Sequence, residues 1–420
     1  MTAFLILITH SLFNAGLARL PHPEIYISAF AVAKSLMHLI QSPAMMVRQT
    51  VTALIDDKQS FLQVRKFTSI LISLIVVVLI SVAYTGLAPW IFKNIMGITG
   101  KTVEVAVIIL RVFVLFPIAS TLRNFSQGLA IHFNITPLFT VATIVRIIYV
   151  TLIVVFIDKI TFLSPGVIAG LMFLGAILIE ALVLLLGNKI YTGNITDAIT
   201  KITNNRSKDN VDITHKFIFS FFWPLIVTSL VKTLTIPIVN MGLARTIKPE
   251  LALSAFTVAW GFGLIILSPI IMFHQIPINF VDKDNKDMIK IVKKFGLYIG
   301  IVITVVFSII SFTNLGYYFL RNIIGVTEEI SLLSVDVLKI MVILPFIMLS
   351  REFYWGVFIK NHQTKLLGRG KFVNIIFLTI TIILLTLFKL QNPAVVGVIS
   401  IIIGELTEVI YLYFLDQKTK

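Results

Sequence analysis

The chain has no cysteine among its 420 residues. That excludes disulfides, thiolate-held metals and a cysteine nucleophile. Charge is scarce as well, at 13% of residues against 57% hydrophobic. No soluble domain of this length carries so little. There is no P-loop, no Gly-rich dinucleotide fingerprint and no nucleophile elbow. Transport driven by ATP bound to this chain is therefore excluded. No catalytic constellation points to an enzyme, and no cofactor is expected. His38, His132 and His274 stand at no metal-ligand spacing. Structural or interfacial roles are read for each. No basic region precedes the apolar stretch Thr2 to Leu17, and no clean small-residue cleavage site follows it. It reads as a membrane span and not as a signal peptide.

What the chain does have is long apolar runs, one after another, with a mean hydropathy of +0.98. Runs of about eighteen residues or more are long enough to cross a bilayer as helices. The pattern predicts an all-α polytopic membrane protein of about twelve spans. They are placed at Thr2 to Ala18, Ile25 to Val47 (kinked near Pro43), Phe67 to Ile91, Val103 to His132, Leu138 to Ile157 and Pro165 to Leu186. The later six are Phe217 to Met241, Leu251 to Phe273 (with Pro269), Phe295 to Phe312, Val335 to Ile359, Phe372 to Phe388 and Ala394 to Leu415. The polar stretch Gly187 to His215, with Asn204 to Asn210 at its centre, reads as a linker between halves. The expected organisation is a first half at 1–188, a linker at 189–215 and a second half at 216–420.

The net charge of +15 lies mostly in loops between spans. It is therefore no signal for nucleic acid. One set of loops is rich in Lys and Arg, among them Arg48, Lys58, Arg65, Lys66, Lys208, Lys293, Lys294, Lys365, Arg369 and Lys371. The opposite set has few, such as Lys93, Lys101, Lys159, Arg245 and Lys389. The richer set belongs in the cytoplasm, which places both termini there. Abundant Ile, Lys and Asn suggest a bacterial gene, hence a bacterial cytoplasmic membrane.

The chain repeats itself. Asn14, Gly16, Leu17, Ala18 and Arg19 match Asn240, Gly242, Leu243, Ala244 and Arg245. The match runs on without a gap through Pro23, Glu24, Ser28, Ala29 and Phe30 to Ser42, Pro43, Met46 and Gln49. Their counterparts end at Ser268, Pro269, Met272 and Gln275. After a two-residue shift, Arg111, Pro117, Arg123, Phe125 and Gly128 match Lys339, Pro345, Arg351, Phe353 and Gly356. Glu180 falls on Glu408. Such self-similarity is the signature of duplication. An even number of spans per half makes the repeats parallel, and a cleft between such halves is where a transporter of this design binds its cargo. The seventh span opens with Phe221, Phe222, Trp223 and Pro224, for which the first has no counterpart. Either an upstream start or a short, tilted first helix is expected.

Basic residues inside membrane helices are expensive and mark functional sites unless they snorkel to the headgroups. Arg123 and Arg351 are the candidate anion ligands, with Arg111 and Lys339 as an outer pair. Lys34 and Lys232 are candidates for added positive potential. Arg146 reads as interfacial. Glu180, Glu405 and Glu408 are candidate proton carriers or counter-ions. Glu352 is expected to face away from its neighbour Arg351. Pro117 and Pro345 are read as bends, and Gly128 and Gly356 as close-packing points, so that each arginine sits on a bent, tightly packed segment.

Phe222-Trp223-Pro224-Leu225 and Pro237-Ile238-Val239-Asn240, with Ser35-Leu36-Met37, Pro43, Ile324-Gly325-Val326, Pro345, Arg351, Gly356 and Gly404-Glu405, carry a resemblance. The chain resembles the multidrug/oligosaccharidyl-lipid/polysaccharide exporter superfamily, which includes MATE extruders and lipid-linked sugar flippases. Within it the likeness is to the progressive ankylosis protein family. The resemblance implies an exporter of anionic solutes such as pyrophosphate, citrate or nucleoside phosphates. One departure from cation-extruding MATE proteins is a first span without an acidic residue. The expectation is a secondary transporter, monomeric, exporting a small anion by alternating access, with H+ or Na+ as coupling ion and membrane lipid around it. The alternatives are a flippase for an anionic lipid-linked precursor, a MATE-type multidrug or cation antiporter, and a non-transporting membrane scaffold.

Overall fold

A computed structural model describes residues 2–203, 214–281, 286–361, 363–388 and 390–418. Every regular element among them is helical. Helices pair every backbone group within one segment, which hydrocarbon requires of a spanning chain. In order they are α1 Thr2–Ala18, α2 Pro23–Ile40, α3 Val47–Leu54, α4 Lys58–Tyr84, α5 Leu87–Trp90, α6 Lys101–Val112, α7 Phe116–His132, α8 Pro137–Phe156, α9 Pro165–Thr192 and α10 Ile195–Thr203. There follow α11 His215–Thr233, α12 Thr235–Leu243, α13 Pro249–Ile271, α14 Gln275–Phe280, α15 Lys286–Phe312, α16 Asn314–Tyr318, α17 Glu328–Met341, α18 Leu344–Lys360, α19 Thr364–Thr386 and α20 Val395–Lys418.

Among the described residues, nine helical segments are long and apolar enough to cross a membrane, and the bent pair α17 and α18 makes ten. The two remaining expected spans are α1, of 17 residues, and α2, of 18 residues with Glu24 and Lys34 in it. The molecule is a multi-pass membrane protein. Its outer apolar side chains agree: Leu74, Val77, Leu152, Val155 and Val302 are all more than half exposed.

Boundaries moved where polar residues extend a helix beyond its apolar run. Helix α4 starts at Lys58 because the Asp57 side chain accepts from the Ser60 backbone N–H and Ser60 answers at the backbone of Asp57. That capping box satisfies donors the first turn leaves orphaned. The expected linker is partly helical, since α9 runs on to Thr192 and α10 follows. Its centre, Asn204 to Asn210, lies outside the described residues, as does Lys389.

The bends precede the prolines. A 3₁₀ turn at Phe113–Leu115 separates α6 from α7, and Pro117 sits in the first turn of α7. Helices α17 and α18 meet at 50°, with Pro345 in the first turn of α18. Proline lacks the N–H that a first turn leaves unpaired anyway, so it starts a helix more readily than it continues one.

The structure extends the repeat. Two π-helical turns, Ile91–Ile95 and Phe319–Ile324, carry Lys93-Asn94-Ile95 and Arg321-Asn322-Ile323. Each runs into a glycine at positive φ, Gly97 at 76° and Gly325 at 86°. Only glycine adopts that conformation without steric cost.

The chain packs as two compact units, and these follow a different division from the duplication. The first comprises Met1–Thr9, Val32–Phe92 and Val103–Thr233; the second comprises His10–Ala31, Lys93–Thr102 and Leu234–Lys420. In the first, Val51, Phe61, Val64, Leu129 and Phe222 form an apolar core. In the second, Asn14 and Asn240, which match in the repeat, bond in reciprocal fashion. Asn14 Nδ2 donates to the Thr257 carbonyl at 3.4 Å, and Asn240 Nδ2 to that of Ala31, the repeat counterpart of Thr257, at 3.2 Å.

Candidate functional site: two ion-pair networks on one scaffold

In the first unit the network is built around Glu180, on the inward face of α9 and 1% exposed. Arg146, from α8, donates to Glu180 Oε2 at 2.5 Å and to Thr9 Oγ1 at 3.0 Å. Gln127, from α7, donates to Glu180 Oε1 at 3.4 Å and accepts from Arg48 Nη1 of α3 at 3.4 Å. Arg123 lies 3.6 Å from Glu180 and donates to Asn124 Oδ1 at 3.3 Å. Two guanidinium groups, of Arg146 and Arg123, therefore reach one carboxylate, a third, of Arg48, joins through Gln127, and among the described residues no second carboxylate pairs with them. The Nε of Arg123 is buried with no partner. Buried charge without compensation is unfavourable by several kcal/mol, roughly, per ion. Arg146, read from the sequence as interfacial, is 3% exposed and paired inside the unit. Glu180 supplies the partner that its burial requires.

In the second unit the same positions are filled differently. Glu408, on α20, accepts from Asn374 Nδ2 of α19 at 2.9 Å and from Trp355 Nε1 of α18 at 2.9 Å. By the repeat register these donors stand where Arg146 and Gln127 stand around Glu180. Arg351 donates to Glu352 at 2.6 Å and to Glu405 at 2.5 Å. Glu405 also takes Lys371 at 3.3 Å and Asn374 at 3.2 Å, and Lys371 reaches Glu408 at 3.7 Å. Glu352 does not face away from Arg351: the flexible guanidinium stem folds back along the helix, which sequence spacing alone does not capture. Its other oxygen meets Nδ1 of His274 at 2.6 Å. The network thus holds two permanent cations and three carboxylates.

The glycines mark equivalent helix contacts. A methyl group on Gly128 would lie 2.6 Å from Val51 Cβ and 3.0 Å from the Arg48 carbonyl oxygen. One on Gly356 would lie 2.5 Å from the His274 carbonyl oxygen and 2.7 Å from Pro277. Arg48 and His274 match in the repeat, as do Val51 and Pro277. Each network is therefore assembled at a close helix approach that only glycine permits.

The outer candidates lie elsewhere. Arg111 is exposed, donates at 3.3 Å to the Ala83 carbonyl at the end of α4, and faces the Tyr84 ring at 5.5 Å. Lys339 pairs with Asp336 one turn before it, at 3.0 Å, and is 41% exposed. Lys34 lies 5.4 Å from the centre of the Phe173 ring, and Lys232 is exposed near the end of α11. Sequence reasoning missed Gln127, Asn374 and Trp355 as network members, and took Arg48 and Lys371 for loop charges. Their repeat register relative to Glu180 and Glu408 was the available signal.

A family description, Progressive ankylosis protein (ANKH), matches residues 1–260. No curated protein matches the chain. Solved structures share its fold at low identity. A multidrug resistance MATE family transporter of the MOP superfamily, in an inward-facing conformation, matches with a TM-score of 0.71 and 16% identity, over 100% of this chain and 94% of that one. The lipid II flippase MurJ in an inward closed conformation matches at 0.68 and 15%, over 99% and 86%. A MOP superfamily transporter from Pyrococcus furiosus, described as having a binding pocket of reverse polarity, matches at 0.60 and 15%, over 100% and 93%.

Proposed function

The chain belongs to the progressive ankylosis protein family, and on that premise we propose that it is a secondary transporter exporting an anionic solute by alternating access. The solute class is pyrophosphate, a phosphate ester or a citrate-like carboxylate. The observation that carries this reading is the excess of guanidinium over carboxylate around Glu180. Arg123 and Arg146 share one acid, Arg48 reaches it only through Gln127, and Arg123 is held far less firmly than Arg146, at 3.6 Å against 2.5 Å. An entering phosphate or carboxylate would supply the missing charge. Guanidinium binds either one through two parallel hydrogen bonds. The substrate ligand is therefore Arg123, supported by Arg48. Arg351, already gripped by Glu352 and Glu405, serves as an internal ion pair. No catalytic step is assigned.

We take residues 1–188 and 216–420 as the duplicated halves, joined by 189–215, and the working form as a monomer. Both termini lie in the cytoplasm of a bacterial cell by the loop-charge argument. The test is flux of labelled pyrophosphate, citrate and an organic cation in vesicles holding the purified protein. Uptake of either anion and not of the cation supports the reading. Uptake of the cation alone overturns it in favour of a MATE-type antiporter. Movement only of a lipid-linked pyrophosphate would convert it to a flippase working through the same arginines.

A further inference from the structure

From the pairing of Arg48 with His274 in the repeat, we propose that the second unit binds one exchangeable proton on His274, and that this proton is the coupling ion. Its coupling to transport rests on the anion reading above; the proton site itself does not.

The two positions do the same mechanical work. Arg48 precedes the Gly128 contact and links α3 to α7 through Gln127. His274 precedes the Gly356 contact and links the start of α14 to α18 through Glu352. Arginine keeps its charge at every working pH, whereas histidine is the side chain that changes charge between about pH 5 and 8. Duplication has thus left one clamp permanent and the other titratable.

The charge balance calls for one proton. Arg351 and Lys371 oppose Glu352, Glu405 and Glu408, so the network holds one carboxylate more than it has Lys and Arg cations, and one proton on His274 would balance it. The other elements packed here offer little else. Helix α14 has no charged residue, and on α15 Lys293 lies over the Phe353 ring at 5.2 Å while Lys290 pairs with Asp287. Glu352 is acceptor-only when ionised, so Nδ1 of His274 carries the hydrogen between them. The arriving proton then goes onto Nε2. The His274 side chain is 25% exposed, against 4% for Glu352, so the histidine is open to its surroundings and the acid behind it is not. Protonation turns a hydrogen bond from a neutral imidazole to the carboxylate into an ion pair and tightens α14 on α18. Its release loosens them.

Trp355 reports the event, because it bonds Glu408 and faces Arg351 at 5.7 Å. In a background of Trp90→Phe, Trp223→Phe and Trp260→Phe, its fluorescence is recorded between about pH 5 and 8 in detergent. The expected result is a single sigmoid. His274→Arg should hold the signal at its low-pH level and His274→Gln at its high-pH level, with unchanged elution on gel filtration. A flat profile in the parent, or a sigmoid surviving in folded His274→Arg, overturns the site. In vesicles, a gradient of one pH unit should change pyrophosphate accumulation about tenfold if one proton is coupled. Both His274 variants should lose that response. Pyrophosphate flux with a flat Trp355 profile and no gradient response overturns the proton site and leaves the anion reading intact. A His274-dependent Trp355 profile without pyrophosphate flux supports the site and tells against the anion reading.

Discussion

Arg146 and Glu180 meet at 2.5 Å with side chains only 4% and 2% exposed. A buried pair of this kind is strongly destabilising to break one partner at a time, by about 3–5 kcal/mol. Arg146→Ala and Glu180→Gln should each lower the thermal midpoint in detergent and the yield of folded protein. The double substitution Arg146→Met and Glu180→Met should recover part of that loss, because it removes the most deeply buried cation together with its acid and leaves only Arg123, 23% exposed, without one. Recovery of stability in the double variant, without recovery of transport, is the expected outcome.

Gly128 and Gly356 make a matched prediction about packing. Gly356→Ala places a methyl against the backbone oxygen of His274, which cannot swing away as a side chain would. Overpacking of this kind is unfavourable by about 1–3 kcal/mol. Gly128→Ala meets the Val51 side chain first and should be milder. Thermal midpoints of the two variants, compared in one detergent, check the order.

Asn240 tests the reciprocal bond in the second unit. Asn240→Ala removes the side-chain bond to the Ala31 carbonyl, which keeps its helical partner, an effect of about 0.5–1.5 kcal/mol. Asn14→Ala should matter less, since its bond is longer at 3.4 Å. Equal effects would tell against the distances as a guide.

The absence of cysteine makes the orientation testable by single introduced thiols. Gln59, at the start of α4, and Lys101, at the start of α6, are both exposed. An impermeant maleimide applied to intact cells should label Lys101→Cys and spare Gln59→Cys. The opposite pattern would invert the topology.

The helices and the repeat were legible because hydrocarbon leaves the backbone few choices and because duplication preserved Asn, Pro, Arg and Glu at one register. Arg123, Arg351, Glu180, Glu405 and Glu408 were visible as charges in apolar runs. Their partners were not. Arg48 and Lys371 lie near segment ends, where sequence reads a loop, while their long stems reach inward. Gln127 and Asn374 carry no charge to draw notice. Trp355 resembles any other membrane aromatic. The pairing of Arg351 with Glu352 defeats simple helix-face geometry because a guanidinium spans the distance that adjacent Cβ atoms do not.

The most direct measurement is titration of purified protein with inorganic pyrophosphate, comparing wild type with Arg123→Ala at fixed salt. Removing charge-assisted hydrogen bonds of about 1.5–3 kcal/mol should weaken binding by about 10- to 100-fold. Thermal stability should be nearly unchanged, because Arg123 is only loosely paired at 3.6 Å. Unchanged affinity in a folded Arg123→Ala variant would contradict the account.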